Sequence, residues 1–291
     1  MTASLVIVGC GKLGLIAGSM LSKLPIEVIG IRRNIGLLKP PFKIYELNIF
    51  SKYFLEQLHE IGPTYIIYSV SADSPSEDSY LKNYYEGLKL TINAVSNSKQ
   101  FKHLLFISST RVYGQKTNAF LSEDSIAVPN DYRGKALLRA EKLLDDVKFN
   151  SSILRLSGIY GNDRSSMLKI ASDVTRWPKT NRWTNRIHEV DVALFILYLF
   201  KELLKGNPLQ KVYLVTDNMP VPIFELLSWL RNELGLDFNK SLLLDKIEAG
   251  KIDGKKLRSQ ILPHLDFVFK YESYKLGYSE IIKYCKLKED I

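Results

Sequence analysis

Cysteine is scarce in this chain: only Cys10 and Cys285 occur among its 291 residues. Two cysteines cannot form the disulfide framework that stabilises small secreted domains. Histidine is also scarce, and His59, His103 and His264 lack the spacing of metal ligands. We therefore expect neither structural disulfides nor a metal site.

Long apolar runs are missing as well. No stretch approaches the ~20 consecutive apolar residues that a membrane-spanning helix needs. Residues 2–8 are mostly apolar, but no basic segment precedes them and glycine interrupts them at once, unlike a secretory signal. We expect a cytoplasmic protein with no membrane partner.

The composition is that of an ordinary globular protein, with 46% hydrophobic and 24% charged residues in a chain long enough for a large α/β core. The net charge is +9, but the basic residues are scattered, with no basic helix or aromatic RNA-binding signature. We therefore expect no nucleic-acid partner. An anionic cofactor or small-molecule substrate would suit the charge equally well.

The most informative stretch is SLVIVGCGKLGLI at residues 4–16. Its β-branched apolar run predicts a buried strand, and G-x-G-x-x-G follows directly before a helical pattern. In a dinucleotide-binding turn the first glycine permits the tight bend, the second admits the pyrophosphate and the third lets helix and strand pack closely. The predicted cofactor-binding residues of this turn are Gly9, Gly11, Lys12, Leu13 and Gly14. A turn that binds nothing would also use three glycines.

Two arginines follow the second predicted strand, EVIGI at residues 27–31. NAD-binding folds place a carboxylate there for the ribose 2′-hydroxyl, whereas Arg32 and Arg33 suit the 2′-phosphate of NADP. The sequence therefore favours NADP over NAD. Alternatively, the two arginines are simply exposed at a strand end.

Further strands alternate with helices, as in a parallel sheet. A third strand around residues 42–47 leads to Asn48, and a fourth at 63–71 ends in Ser69, Val70 and Ser71. We expect these four residues to lie beside the cofactor. Residues 80–96 have the apolar periodicity of one helix.

Four later segments occur in order: SSTRVYG (108–114), ILRLSGIYG (153–161), NRIHEVDV (185–192) and VYLVTD (212–217). Together they resemble the extended short-chain dehydrogenase/reductase superfamily, in its NAD-dependent epimerase/dehydratase group. The resemblance implies an α/β fold, a doubly wound parallel Rossmann sheet with a small C-terminal substrate lobe. It also implies that Leu156 contacts the cofactor.

The same resemblance implies a domain division and an assembly. Residues 1–161 would form the dinucleotide-binding core, completed by about 185–217. Residues 162–184 and 218–291 would form the smaller substrate-binding lobe. Family members commonly pair through two helices, here at about 80–96 and 132–147, so a homodimer is expected.

The resemblance implies acid/base catalysis by a Tyr-x-x-x-Lys pair, with a serine that orients the substrate oxygen. Here the candidates are Ser109, Tyr132 and Lys135, but the lysine comes one residue early, which turns it by about 100° on a helix. Arg133 is the alternative cation beside Tyr132. An alignment anchored on Glu141 instead puts Arg133 and Leu137 at the catalytic positions, and no active pair then survives.

These observations predict an NADP-dependent oxidoreductase or epimerase that acts on a hydroxyl or carbonyl carbon of a small, sugar-like substrate. Thr184 stands where many nucleotide-sugar members carry an arginine, four residues before His188. The alternative is a non-catalytic NADP-binding or sensing protein with a degenerate active site.

Overall fold

The computed structural model describes residues 3–117, 119–162, 164, 166–236 and 252–289, with side chains up to residue 285. The strands are β1 (Ser4–Val8), β2 (Glu27–Arg32), β3 (Lys43–Glu46), β4 (Tyr65–Tyr68), β5 (His103–Ser109), β6 (Phe120–Leu121), β7 (Asn150–Leu156), β8 (Gly158–Tyr160), β9 (Trp183–Thr184), β10 (Arg186–His188), β11 (Val212–Val215), β12 (Val221–Pro222) and β13 (Lys256–Leu257). The α-helices are α1 (Lys12–Leu21), α2 (Tyr53–Ile61), α3 (Glu77–Tyr80), α4 (Gly87–Val95), α5 (Tyr132–Lys142), α6 (Ser166–Ser172), α7 (Glu189–Lys205), α8 (Ile223–Glu233) and α9 (Tyr274–Glu289).

The central element is a seven-stranded parallel sheet with the order β11-β7-β5-β4-β1-β2-β3. This is the doubly wound arrangement, in which the chain reverses direction across the sheet between β1 and β4. Ligands of such sheets bind at that point, beyond the carboxyl ends of the strands. The predicted fold class is confirmed.

The strand beneath the glycine turn is buried on both faces. Leu5, Val6, Ile7 and Val8 are all fully buried, because β1 pairs with β2 on one side and β4 on the other. A continuous run of branched apolar residues is what a central parallel strand requires. The apolar run in the sequence therefore reflects the burial of β1 between two neighbouring strands.

The helix predicted at residues 80–96 is interrupted. A π-helical turn, Leu81–Glu86, separates α3 from α4. The Tyr68 hydroxyl donates to the Asn83 carbonyl oxygen at 2.5 Å, and the Gly87 amide, which an α-helix would pair with that carbonyl, bonds Lys82 instead. Gly87 also leaves room for the Tyr68 hydroxyl, since a Cβ there would clash with it. A buried hydroxyl inserted into the backbone ladder thus causes the π turn.

The chain divides into two compact units. The first contains residues 1–113, 127–156 and 192–213, and the second contains 114–126, 157–191 and 214–291. An apolar core in the second unit packs α6, α8 and α9 around residues such as Trp177, Phe224 and Tyr278. Residues 163, 165, 237–251 and 290–291 of the predicted lobe lie outside the described residues. The role of this lobe in substrate binding stays a prediction.

Among the residues that the structure describes, no helix combines the length and the apolar character needed to cross a lipid bilayer.

Candidate cofactor-binding and active site

The three glycines after β1 meet different steric demands. Gly9 has a φ of +80°, which side chains rarely adopt, and a Cβ there would lie 2.6 Å from the Val70 nitrogen. A Cβ on Gly14 would lie 3.1 Å from the Ile7 side chain, so this glycine lets α1 pack closely on β1. A Cβ on Gly11 would meet only the Gly9 carbonyl oxygen, at 3.9 Å. Gly11 therefore leaves the open space that a pyrophosphate requires.

The glycine turn is held against β2 and leads into a helix N-terminus. The amides of Gly9 and Cys10 both donate to the Ile31 carbonyl oxygen, at 3.0 and 2.9 Å. Gly11 is the N-cap of α1, and the first turn of this fully described helix carries no acidic residue. The positive end of the helix dipole is therefore available to an anion.

Cys10, inside the turn, is a packing residue. It is fully buried, and burial raises the pKa of its thiol to about 11. The thiol is therefore neutral at physiological pH, whereas a nucleophilic cysteine needs a thiolate. Its sulfur also limits the space beside Gly30, where a Cβ would lie 3.1 Å away.

A cavity of about 490 Å³ lies beside the glycine turn, beyond the carboxyl ends of β1, β2 and β4. It brings together most of the residues predicted to bind the cofactor, namely Gly9, Gly11, Arg32, Arg33, Asn48, Ser69, Val70 and Ser71. Lys12, Leu13 and Gly14 instead form the first turn of α1, and Leu156 is buried at the end of β7. The residues that line the cavity therefore fit a dinucleotide cofactor, as the sequence predicts.

Asp73, Lys82 and Asn83 also line this cavity, and the sequence analysis missed them. They come from the segment that follows β4, and Asp73 is 40 residues from its partner Arg33. No local pattern marks them. Only the position of β4 beside β1 brings this segment to the end of β2.

The two arginines at the end of β2 have different partners. Arg32 Nη1 donates to the Cys10 carbonyl oxygen at 3.3 Å and so lies against the glycine turn. Arg33 Nη2 forms an ion pair with Asp73 at 2.5 Å, in which the side chains are 60% and 46% exposed. The Arg33 hydrogen bond lowers the pKa of Asp73, so this carboxylate is ionised at neutral pH.

Ser109 lies at the end of β5, next to the start of α5. Its hydroxyl oxygen accepts the Arg111 N–H at 3.2 Å. Asp131, the N-cap of α5, accepts the Gly134 N–H at 2.8 Å and binds the Arg111 guanidinium at 2.8 Å. A Cβ on Gly134 would lie only 2.5 Å from the Arg111 carbonyl oxygen. The first turn of α5 is thus packed directly on the turn that follows Ser109.

The Tyr132 hydroxyl already has two partners. It donates to the Pro75 carbonyl oxygen and accepts from Arg133 Nε at 3.0 Å. The ring packs edge-on against Tyr80, with 5.8 Å between centroids. Lys135 is exposed. The cation beside the phenol is therefore Arg133, where the sequence analysis expected Lys135, and the catalytic roles stay predictions.

A buried ion pair fixes the far end of α5. Glu141 accepts the Ser108 hydroxyl at 2.6 Å and binds Arg155, whose Nη2 lies 2.7 Å from Oε2. Arg155 also donates to the Tyr113 hydroxyl at 2.7 Å. The two charged side chains are only 9% and 4% exposed. Ser108 and Tyr113 lie on either side of the turn that contains Ser109, so this network fixes the position of that turn.

The Glu141 network also bears on the alternative alignment. With Glu141 as the reference, Arg133 and Leu137 stand at the acid/base positions. Leu137 is 2% exposed and cannot ionise. On this alignment α5 carries no tyrosine–lysine pair.

The second unit contains its own buried polar cluster. Arg186 is 9% exposed and donates to the Tyr278 hydroxyl at 3.3 Å. Asp217, 1% exposed, accepts the Met219 N–H at 3.3 Å, and burial raises the pKa of its carboxyl to about 7. His188 packs between Tyr160 and Tyr271, at 5.1 and 4.0 Å between ring centroids, as a structural residue would.

No protein-family model matches the chain, and no curated protein matches it. A solved structure from Methylobacillus flagellatus, assigned to the NAD-dependent epimerase/dehydratases, is 32% identical with a TM-score of 0.84. That match covers 98% of this chain and 100% of the other. The chain belongs to this family. The resemblance to the extended short-chain dehydrogenase/reductases is thereby confirmed.

Two more distant solved structures share the fold. UDP-glucose 4-epimerase from Thermotoga maritima, solved with UDP-glucose, is 16% identical with a TM-score of 0.79 over 98% of this chain and 99% of its own. WbmG from Bordetella bronchiseptica, solved with NAD, is 17% identical with a TM-score of 0.74 over 98% of this chain and 95% of its own.

Proposed function

We propose that this protein is an NADP-dependent oxidoreductase or epimerase that acts on a hydroxyl or carbonyl carbon of a small, sugar-like substrate. The observation that carries the proposal is the cavity beside the glycine turn. There, Arg32 and Arg33 lie where NAD-binding relatives of the fold carry a carboxylate. Family membership makes hydride transfer the reaction class to test first.

The chain's own residues would hold the dinucleotide in a definite way. The open space at Gly11 and the N-terminus of α1 suit the pyrophosphate. Arg32 and Arg33 suit the 2′-phosphate, because guanidinium groups bind phosphate through charge-assisted hydrogen bonds. When bound, the nicotinamide would give or accept a hydride.

Ser109 and Tyr132 are the proposed residues at the reacting carbon. Ser109 would orient the substrate oxygen, and Tyr132 would move the hydroxyl proton. Arg133 already donates to the phenol oxygen at 3.0 Å, so it would stabilise the phenolate where the family uses lysine. Lys135 is the second basic residue of this turn and is the weaker candidate because it is exposed. For catalysis, the Tyr132 hydroxyl must exchange the Pro75 carbonyl for substrate.

The substrate class rests on the family and on its distant members. The Thermotoga maritima enzyme was solved with UDP-glucose, which supports a sugar-like substrate here. Thr184, in place of the arginine before His188, argues against the same diphosphate contact. A small sugar or sugar derivative is therefore proposed, with nucleotide sugars as the comparison set.

We also propose a homodimer. α4 and α5 border a groove of about 550 Å³ whose lining includes Ile92, Leu143 and Val147. Arg139 stacks on Tyr85 at 4.1 Å in the same groove. The apolar residues of this groove suit packing against the same helices of a second copy, because a two-fold interface uses the same surface of both subunits.

Two observations favour a second function. The Tyr132 hydroxyl is engaged by the Pro75 carbonyl oxygen, and Leu137 is buried at the alternative lysine position. Both fit a protein that binds NADP without turning it over. Such a protein would sense the cofactor instead of using it.

One set of experiments separates the two functions. The purified protein is titrated with NADP and NAD by calorimetry, then assayed for NADPH oxidation with a panel of carbonyl compounds and nucleotide sugars. We expect tighter NADP than NAD binding, lost in Arg32→Asp. On any substrate found, Tyr132→Phe should lower turnover by ~10²–10⁴ with little change in NADP affinity. Full activity in both Tyr132→Phe and Ser109→Ala would refute the catalytic assignment.

A further inference from the structure

The cofactor cavity contains one carboxylate among its charged lining residues. Arg32, Arg33 and Lys82 supply positive charge, and Asp73 supplies the negative charge. Asp73 lies directly against Arg33 at 2.5 Å. The Asp73 carboxylate thus already binds the Arg33 guanidinium, which the proposed function assigns to the 2′-phosphate of NADP.

The position of Asp73 is set by its backbone, independently of Arg33. The amides of Asp73 and Ser74 both donate to the Ser79 hydroxyl oxygen, at 2.9 and 3.2 Å. Ser79 in turn lies at the start of the helical segment, where its carbonyl oxygen accepts from Asn83 Nδ2 at 2.9 Å. When Arg33 moves to another partner, Asp73 therefore stays at the rim of the cavity. There its carboxylate also has a hydrogen bond with the Asn83 side chain and the charge of Lys82 nearby.

From this geometry we propose that Asp73 is a cofactor-discriminating residue, which competes with the 2′-phosphate for Arg33 and so reduces the preference for NADP over NAD. The inference rests on the proposed function of the cavity. NAD carries no phosphate at that position and leaves the Arg33–Asp73 pair in place. NADP must break the pair and brings its phosphate near a fixed carboxylate.

The expected effect is moderate, because exposed ion pairs are weak. Both side chains are well exposed, at 60% and 46%. Replacing the carboxylate by an amide removes the competitor while the backbone bonds to Ser79 remain. We expect Asp73→Asn to tighten NADP binding about fivefold and to change NAD binding less than about twofold.

The test is calorimetric titration of the full-length protein and its variants with NADP, NAD and adenosine 2′,5′-bisphosphate. Asp78→Asn is the matched control, because it removes an equal charge from the same segment outside the cavity lining. The Asp73→Asn gain should appear with NADP and the bisphosphate, and Asp78→Asn should show neither gain. Thermal unfolding of each variant checks that the fold is retained.

A second variant distinguishes partner exchange from general charge. In an Arg33→Gln background, the gain from Asp73→Asn should fall below about twofold, because no guanidinium remains to be released. An unchanged gain in that background, an equal gain in Asp78→Asn, or no gain at all overturns the inference.

A different result of the same titrations would contradict the proposed function. If the wild type binds NAD more tightly than NADP, the NADP assignment is wrong, yet the ratio of the two affinities should still shift in Asp73→Asn. If neither dinucleotide binds, both proposals are overturned.

Discussion

Replacing Asp217 by asparagine should stabilise the second unit at neutral pH, and the gain should disappear in acid. The carboxyl is 1% exposed, and burial raises its pKa from 3.8 to about 7. The Met219 and Tyr274 amides and the nearby Arg186 charge lower that pKa, but burial outweighs them. The folded chain therefore holds a proton that the unfolded chain releases.

The sign and size follow from this difference in proton binding. Between the unfolded pKa of 3.8 and the folded pKa of about 7, the folded state binds more protons. Stability therefore falls as pH rises through this window and stays low above it. A shift of about 3 units corresponds to about 4 kcal/mol at 1.36 kcal/mol per unit. Asparagine does not titrate, so the variant escapes this loss.

Urea unfolding at steps from about pH 3.5 to 8 measures the effect, with tryptophan fluorescence as the signal. All three tryptophans, Trp177, Trp183 and Trp229, lie in the second unit, so the probe reports on the unit that carries Asp217. The unfolding free energy of the variant minus that of the wild type should rise by about 4 kcal/mol across this range.

Comparing the variant with the wild type at several pH values separates the titration of Asp217 from the other effects of the substitution. A buried amide has its own hydrogen-bonding cost of about 1–3 kcal/mol, but that cost does not depend on pH. Asp266→Asn, which removes an exposed carboxylate of the same unit, controls for net charge. A difference curve for Asp217→Asn that is flat, or that falls with rising pH, would refute the reasoning.

Three other outcomes are expected. Gly9→Ala should destabilise the protein by at least about 2 kcal/mol, since it adds a Cβ at positive φ, and should abolish dinucleotide binding. Gly11→Ala should leave the thermal midpoint unchanged and weaken only the dinucleotide binding measured by calorimetry. Glu141→Gln should cost about 3–5 kcal/mol in chemical unfolding because it leaves a buried guanidinium unpaired. Glu280→Gln, which removes the ion pair with Lys270 whose side chains are 53% and 54% exposed, should cost less than about 1 kcal/mol. Light scattering at micromolar concentration should give a dimer mass, and a monomer mass would contradict the proposed α4–α5 interface.

The predictions that held are those that depend on neighbouring residues. The strand, turn and helix at residues 4–21 follow from local apolar pattern and glycine spacing, whereas the fold class was implied by the resemblance of four later segments to a known family. The assignment of Arg32 and Arg33 to the 2′-phosphate uses the known place of this strand end in the fold and stays a prediction. The strand, turn and helix at residues 4–21 need only sequence separations of a few residues.

What the sequence could not reveal involves contacts between distant residues. The Tyr68 hydroxyl breaks the helical ladder at Asn83, fifteen residues later, and no propensity in 80–96 predicts it. Asp73 meets Arg33 across 40 residues, because β4 lies beside β1. The helix predicted to reach residue 147 ends at Lys142, and the Lys211 ammonium donates to the Leu144 carbonyl oxygen just beyond it.

The residues around Ser109 and the proposed acid/base residues differ in how strongly the fold depends on them. The turn at Ser109 is held from below by a buried ion pair, and removing one partner of such a pair is costly. The proposed acid/base residues face no comparable constraint, since Tyr132 and Arg133 are only half-buried and Lys135 is exposed. Substitutions at these three positions should therefore cost little stability. Turnover of Tyr132→Phe consequently tests the proposed chemistry with the fold intact.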